Sequence, residues 1–300
     1  MATPAVLVVG RSGQLASALA GSPHGAGLNV RCLGRPDVDL LEPGSIATAL
    51  DRIRPDIVVN AAAYTAVDRA EEEPDVAMRI NADAPGEIAR WCAGRDVAMV
   101  HVSSDYVFRG DKDGAYVEDD PVDPQGAYAR SKARGEDAVR DVLPQHVILR
   151  TAWVYAAGGH NFVRTMLRLG AERDELSIVD DQRGCPTFAD DLADAILRIA
   201  REAFAGNATW GTYHAASHPP VTWFGFAKAI FARASEHGAA TPRLRAISTA
   251  EFPTPARRPA NSVLDCGKLQ DDYGIVLPEW PDSLDVCIGR LLGARNAGTA

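Results

Sequence analysis

The sequence predicts an α/β fold, a Rossmann-like doubly wound parallel sheet carrying a smaller α/β substrate-binding domain. Three observations predict it. A short apolar run, Ala5–Val9, leads straight into the glycine turn Gly10-Arg11-Ser12-Gly13. Apolar runs then alternate with helical stretches over residues 1–150. The rest, 151–300, is less regular and punctuated by proline. Strands alternating with helices imply a parallel sheet with right-handed crossovers.

The elements follow in order. Ala5–Val9 is continuously apolar, as a strand buried on both faces must be. Gln14–Ala20 is rich in alanine and leucine and reads as a helix. Asn29–Leu33 is a second strand, Ser45–Ile53 a helix by its apolar spacing, and Asp56–Asn60 a third strand. Asp83–Ala93 is helical, Val97–Ser103 a fourth strand, Tyr128–Val142 a charged helix and Val147–Thr151 a fifth strand. Beyond residue 150, Phe162–Leu169, Asp190–Ala203 and Thr222–Ala234 read as helices. The last should bury Phe224, Phe226, Ile230 and Phe231. Phe252-Pro253-Thr254-Pro255 is an extended, proline-punctuated segment. The sheet is expected to be completed near Ser177–Val179, within 175–205. The tail Gly293–Ala300 is expected to be mobile.

Composition narrows the function. Hydrophobic residues make up 46% and charged residues 24%, ordinary for a soluble globular chain. The net charge of −9 argues against a general nucleic-acid binder, which needs a basic face. It leaves room for a small anionic ligand held by local arginines. The five cysteines are widely spaced, with no C-x-x-C, which fits a reducing compartment and offers no local zinc pattern. No basic segment precedes the first apolar run, so it reads as a strand rather than a signal peptide. No apolar stretch approaches the roughly 18 residues of a membrane span. The expectation is a cytoplasmic protein.

Gly10-x-x-Gly13-x-x-Ala16 sits where a first strand meets a first helix. Glycines there let the backbone turn tightly and approach a pyrophosphate at the helix N-terminus. Ala16 takes the packing position where a third glycine is more usual. No carboxylate stands at the tip of the second strand, which ends Leu33-Gly34-Arg35. Arg35 reads either as a partner for the 2′-phosphate of NADP or as a solvated surface arginine.

Tyr128-Ala129-Arg130-Ser131-Lys132 puts a tyrosine and a lysine four apart, on one face of a helix. Only four lysines occur in the chain, so a chance pair is uncommon. An ammonium beside a phenol is expected to lower its pKa and let it take part in proton transfer. A hydroxyl at the end of the fourth strand would hold the reacting oxygen. Ser104 is placed for that and Ser103 competes with it. Strand alternation sends the two to opposite faces.

At these residues the chain resembles the extended short-chain dehydrogenases and, within them, the dTDP-4-dehydrorhamnose reductase family. The match runs through Gly10–Leu15 (GRSGQL), Asn60–Glu71 (NAAAYTAVDRAE), Val102–Gly110 (VSSDYVFRG) and Tyr128–Lys132 (YARSK). It continues through Arg150–Tyr155 (RTAWVY), Gly184–Leu192 (GCPTFADDL) and Arg257–Leu264 (RRPANSVL). The resemblance implies reduction of a nucleotide-linked ketosugar by NADPH or NADH. It implies Ser104, Tyr128 and Lys132 as the catalytic trio. It places Gly10, Ser12, Gly13, Gln14, Leu15, Arg35, Asp39, Leu40, Ala62, Ala63 and Tyr64 at the cofactor, with Tyr128 and Lys132. It places Val67, Asp105, Trp153, Arg258 and Asn261 toward the substrate. Some members use magnesium, partly to join subunits through glutamates, so magnesium is implied here by the resemblance alone. Leu15 occupies one such position here, so that mode has no support, and no metal ligand is expected. The assembly expected is a monomer or homodimer.

The chain departs from the family pattern at Ala16, at Ser104 (commonly threonine), at Arg109 and at Val263. Trp153 reads as substrate contact or as core, and Arg257-Arg258 as a diphosphate partner or as solvated cations. Cys185 and His101 read as structural, and Glu71-Glu72-Glu73 as a solvated helix end. Two other functions suit the same fold. One is another sugar-nucleotide reductase, epimerase or dehydratase of the same superfamily, the dehydratase disfavoured because no glutamate follows Asp105. The other is a non-catalytic regulatory subunit, opposed by the intact trio.

Overall fold

The computed structural model describes residues 3–296. In chain order the first part holds β1 (Ala5–Val9), α1 (Gln14–Gly21), β2 (Asn29–Leu33), α2 (Ser45–Ile53), β3 (Ile57–Asn60), α3 (Pro74–Met78), α4 (Ala84–Ala93), β4 (Ala98–Ser104), α5 (Ala127–Arg140) and β5 (His146–Thr151). The second part holds β6 (Val154–Tyr155), α6 (Phe162–Glu172), β7 (Glu175–Val179), β8 (Arg183–Gly184), β9 (Thr187–Phe188), α7 (Ala189–Ala205), β10 (Gly211–His214), β11 (Val221–Thr222), α8 (Trp223–Glu236), β12 (Arg243–Ile247), α9 (Gly267–Tyr273) and α10 (Trp280–Asn296).

The main sheet is parallel, in the order β10-β5-β4-β3-β1-β2. Alternation within each strand feeds two cores. Val6, Val8, Val59, Val100 and Leu149 meet Leu15 and Leu19 of α1 and Ile196 and Ile199 of α7. Leu7, Val9, Val58, Met99 and Ile148 meet Ile46 and Leu50 of α2, Ile88 of α4 and Val139 of α5. Each such fully buried aliphatic contributes roughly 1.5–3 kcal/mol. The apolar strands are therefore buried on both faces, and their carboxyl ends form one edge where a ligand can bind.

The sixth strand corrects the expectation for Ser177–Val179. β7 does not join the main sheet. It pairs in parallel with β12, Ser177 against Arg245. The strand that completes the main sheet is β10, beside β5. The helix over 189–205 does cover that sheet. The physical reason lies in burial. Glu175, Ser177 and Val179 alternate with buried Leu176 and Ile178, a one-faced pattern unsuited to a sheet covered on both sides.

A third core lies beneath this small sheet. Tyr155, Met166, Leu176, Ile178, Phe226, Ile230, Phe231, Trp280 and Leu284 pack together. Phe224 is only half-buried there. Of the tail expected to be mobile, Gly293–Asn296 end α10, and residues 297–300 lie outside the described residues. Among the described residues no helix is long and apolar enough to cross a membrane.

Candidate active site

A cavity of about 1000 Å³ runs along the carboxyl edge of the sheet. Gly10, Ser12, Gly13, Gln14, Leu15, Arg35, Asp39, Leu40, Ala62, Ala63, Tyr64, Val67, Ser104, Asp105, Tyr128, Lys132 and Trp153 all line it. Residues separated by more than 140 positions are thus brought to one wall.

The glycine turn fits a pyrophosphate. Gly10 has φ +136°, open to glycine, and a Cβ there would touch Ala16 Cβ at 3.4 Å. Ala16 is buried in the packing position expected for it. A Cβ at Gly13 would project into open space, so a ligand can approach the backbone. No side chain caps the N-terminus of α1, which leaves its first amides for an anion. Beyond β2, Asp39 accepts from the Leu41 amide at 3.0 Å and donates its own amide to Ser45 Oγ at 2.9 Å. Exposed Arg35 shares this end with Arg11, whose Nη1 donates to the Arg35 carbonyl at 3.4 Å.

The loop after β3 is pinned from two sides. Asn60 Oδ1 accepts from the Ala62 amide at 3.3 Å. Buried Asn81 accepts from the Tyr64 amide at 2.8 Å and donates to the Tyr64 carbonyl at 3.1 Å and to Ser131 Oγ at 2.9 Å. Asn81 sits in a π-turn, Arg79–Asp83, between α3 and α4.

The trio converges at the ends of β4 and α5. Ser104, Tyr128 and Lys132 are all buried. Ser104 Oγ donates to Asp105 Oδ1 at 2.8 Å and accepts from the Tyr106 amide at 3.2 Å. Lys132 Nζ donates to the Val102 carbonyl at 2.8 Å. Tyr128 meets Tyr106 edge-on, ring centroids 5.6 Å apart. Burial pushes the Tyr128 hydroxyl well above its ordinary value, opposed by a hydrogen bond with Ser104. This corrects the expectation that Lys132 lowers it: here desolvation of the phenolate outweighs any help from the ammonium. Burial also brings Lys132 down to about 8, with Glu136 acting the other way.

Asp105 is buried, and burial lifts its carboxyl to about 6. Its Oδ2 has no partner among the described residues. Thr151 Oγ1, on the same cavity wall, is likewise unpartnered.

Trp153 follows β5 with φ +46°, uncommon for a bulky residue and a marker of imposed conformation. It stacks face to face on Trp223, centroids 3.4 Å apart. Both line the cavity and are half-buried, so Trp153 is more than core filling. β11 pairs with β8, Val221 against Gly184, and this delivers Trp223 to Trp153.

Two residues predicted at the substrate, Arg258 and Asn261, do not line the cavity themselves, and Arg258 Nη1 lies 3.5 Å from Tyr106 Oη, which does. Asn261 gives its amide to the carbonyls of Lys112 at 2.8 Å and Gly114 at 2.6 Å, so it ties loops together. Arg258 pairs with Asp68 at 2.6 Å, and Arg257 only reaches Gln125 at 3.5 Å. The acidic run is also not simply solvated. Glu71 accepts from the Ala127 amide at 2.7 Å, at the start of the α5 helix, and Glu73 accepts from Tyr64 Oη at 2.6 Å. His101 and Cys185 are buried, the thiol pushed up to about 11 by burial, as structural residues should be.

Sequence reasoning missed Arg11, Thr151, Gly184 and Trp223 as parts of this site. Arg11 lay inside the glycine turn and was legible there. Trp223 had no local signal, because helical periodicity does not say what a terminal aromatic faces.

Residues 4–292 match the family model described as the RmlD substrate binding domain. This chain belongs to that family. A dTDP-4-dehydrorhamnose reductase from Sinorhizobium fredii (strain NBRC 101917 / NGR234) is 43% identical over 287 residues, covering 95% of this chain and 97% of the relative. The crystal structure of a dTDP-4-dehydrorhamnose reductase from Clostridium acetobutylicum superposes with TM-score 0.89 at 35% identity, covering 96% of this chain and 99% of that one. The enzyme of that name from Bacillus anthracis, solved with NADP, gives TM-score 0.89 at 33% identity over 95% and 99% of the two chains. Where some relatives are expected to carry a magnesium-linking glutamate, this RmlD-family member has Leu15. Leu15 is apolar and packs in the core, and among the described residues no group of three or more acidic, His or Cys side chains is arranged for a metal ion.

Proposed function

We propose that this protein reduces the C4 ketone of dTDP-4-dehydro-β-L-rhamnose to dTDP-β-L-rhamnose with hydride from NADPH or NADH. The observation that carries the reading is the convergence of Ser104, Tyr128 and Lys132 with the glycine turn on one cavity. The cofactor supplies the hydride, and the chain's residues manage the oxygen. Tyr128 is the general acid. Its raised pKa keeps the phenol protonated at neutral pH, ready to protonate the developing alkoxide. Ser104 orients the carbonyl oxygen. Lys132 holds the nicotinamide ribose and faces the phenolate left after transfer. Gly10, Ser12, Gly13, Gln14 and Leu15 hold the pyrophosphate side, with Asp39, Leu40, Ala62, Ala63 and Tyr64 around the adenosine and ribose. Arg11 and Arg35 give NADPH the advantage, because a 2′-phosphate would meet two guanidinium groups there. Val67, Asp105 and the Trp153–Trp223 stack receive the nucleotide sugar. Arg258 and Asn261 shape the loops around it. Residues 1–150, with α7 and β10, form the cofactor domain, and most of 151–300 the substrate domain. The protein is cytoplasmic, a monomer or homodimer.

The test uses purified protein, dTDP-4-dehydro-β-L-rhamnose generated in situ, and NADPH or NADH, followed by loss of reduced-cofactor absorbance. Sugar-dependent oxidation that drops by about 100-fold or more in Tyr128→Phe, with NADPH binding retained, is expected. No oxidation by folded, NADPH-binding protein overturns the substrate assignment.

A further inference from the structure

One turn beyond Lys132 on α5 lies Glu136, a carboxylate that the reaction above does not use. It is 1% exposed. Carboxylates at that depth persist only when paired. Glu136 is held from three elements. Ser103 of β4 donates to Oε1 at 2.6 Å. Arg150 of β5 donates Nε to Oε1 at 2.9 Å and Nη2 to Oε2 at 2.7 Å. Arg140, on the next turn of α5, reaches Oε2 at 3.3 Å. Arg150 is 2% exposed, gives Nη1 to the Glu118 carbonyl at 3.2 Å, and lies over the Phe108 ring at 4.9 Å. The Arg150 fork is bidentate, so it constrains direction as well as distance.

The chain neighbours of these partners are the reaction site. Ser104 follows Ser103, and Thr151 follows Arg150. Val102, whose carbonyl receives Lys132 Nζ, precedes Ser103. Tyr128, Lys132 and Glu136 succeed one another at four-residue spacing along one side of α5. Resting on the reading of Tyr128 and Lys132 as the reacting pair, we propose that Glu136 is a positioning residue for this reaction: through Ser103 and Arg150 it sets the Tyr128–Lys132 face of α5 against the strand ends that carry Ser104 and Thr151.

Its charge adds a second consequence. Lys132 shares one side of α5 with Tyr128 and Glu136, has His101 of β4 near it, and has Arg150 of β5 across Glu136. His214 of β10 stands behind Arg150 at 3.5 Å. Burial holds His101 and His214 neutral, and His146 of β5 is lowered as well. Glu136 is therefore the group that opposes loss of the Lys132 proton.

Glu136→Gln keeps the shape and removes the charge. NADPH binding is followed by fluorescence from about pH 6 to 9.5, beside steady-state reduction of the ketosugar. The expected result is a fall in kcat of roughly ten- to hundred-fold with KM for the sugar changed by less than about threefold. The alkaline midpoint of NADPH binding moves toward acid by about one pH unit. A buried arginine left without its anion threatens the fold. Ser103→Ala leaves the ion pair whole and serves where the glutamine variant does not fold; a kcat loss of about three- to tenfold is expected of it in a folded protein whose melting temperature falls by about a few degrees, the cost of one buried hydrogen bond to a carboxylate. A folded Glu136→Gln with wild-type kcat and wild-type pH midpoint overturns the proposal, as does an unchanged kcat in Ser103→Ala when Glu136→Gln cannot be made. If the wild type binds NADPH but reduces no such sugar, the substrate reading fails alone, and the NADPH profile still decides the role of Glu136.

Discussion

Ser103 and Ser104 are consecutive on β4, yet their hydroxyls answer to different partners: Ser103 donates to Glu136 at 2.6 Å, and Ser104 to Asp105 at 2.8 Å. The pleat of the strand causes this divergence. Under the proposed reaction Ser104 supplies the reacting hydroxyl, since that of Ser103 is held by Glu136. Ser104→Ala is expected to lower kcat by roughly 10- to 100-fold while NADPH binding, measured by fluorescence titration, stays within about twofold.

Gly184 supports the tryptophan stack by leaving room for it. A Cβ there would lie 2.6 Å from Trp153 Nε1. Gly184→Ala must push the indole off its place, at a packing cost of about 1–3 kcal/mol. Steady-state kinetics are expected to show a rise in KM for the nucleotide sugar of about tenfold, with the KM for NADPH little changed. Trp223→Ala should raise the same KM, because it removes the other ring of the stack.

Asp105 illustrates a site that costs stability. Its carboxyl is raised to about 6 by burial, so the folded chain holds the proton more tightly than the unfolded chain does. The relative stability this gives is present below about pH 4, the ordinary carboxyl range, and is lost as pH rises through about 6. Above that, the fold carries a buried carboxylate with one oxygen unpartnered among the described residues. Asp105→Asn removes the charge. Thermal or urea unfolding at about pH 7 should show a gain on the order of 2–3 kcal/mol, shrinking toward zero near pH 4. Activity of that variant should fall, since the group faces the substrate cavity.

Cofactor choice should rest on Arg11 and Arg35 together. Each is exposed, and both line the cavity beyond β2. The double variant Arg11→Ala/Arg35→Ala is expected to weaken NADPH by about 10- to 100-fold and NADH by less than about threefold. Equal loss for both cofactors in parallel binding titrations would contradict the assignment.

Much of this was legible in the linear chain because it is local. A strand buried on both faces needs an apolar run, and Ala5–Val9 and residues 57–59 and 147–149 carry their burial in their composition. The Gly10 turn and the Tyr128–Lys132 spacing follow from backbone geometry over a few residues. Long-range packing decided the rest. β10 (GTYH) closes the main sheet without an apolar run, because β5 supplies its hydrogen bonds and a neighbouring core its cover. The Trp153–Trp223 stack joins positions 70 residues apart through the β8–β11 pair. Desolvation, which lifts Tyr128 and Asp105 and lowers Lys132, is set by what surrounds a side chain in three dimensions, and no spacing along the chain encodes it.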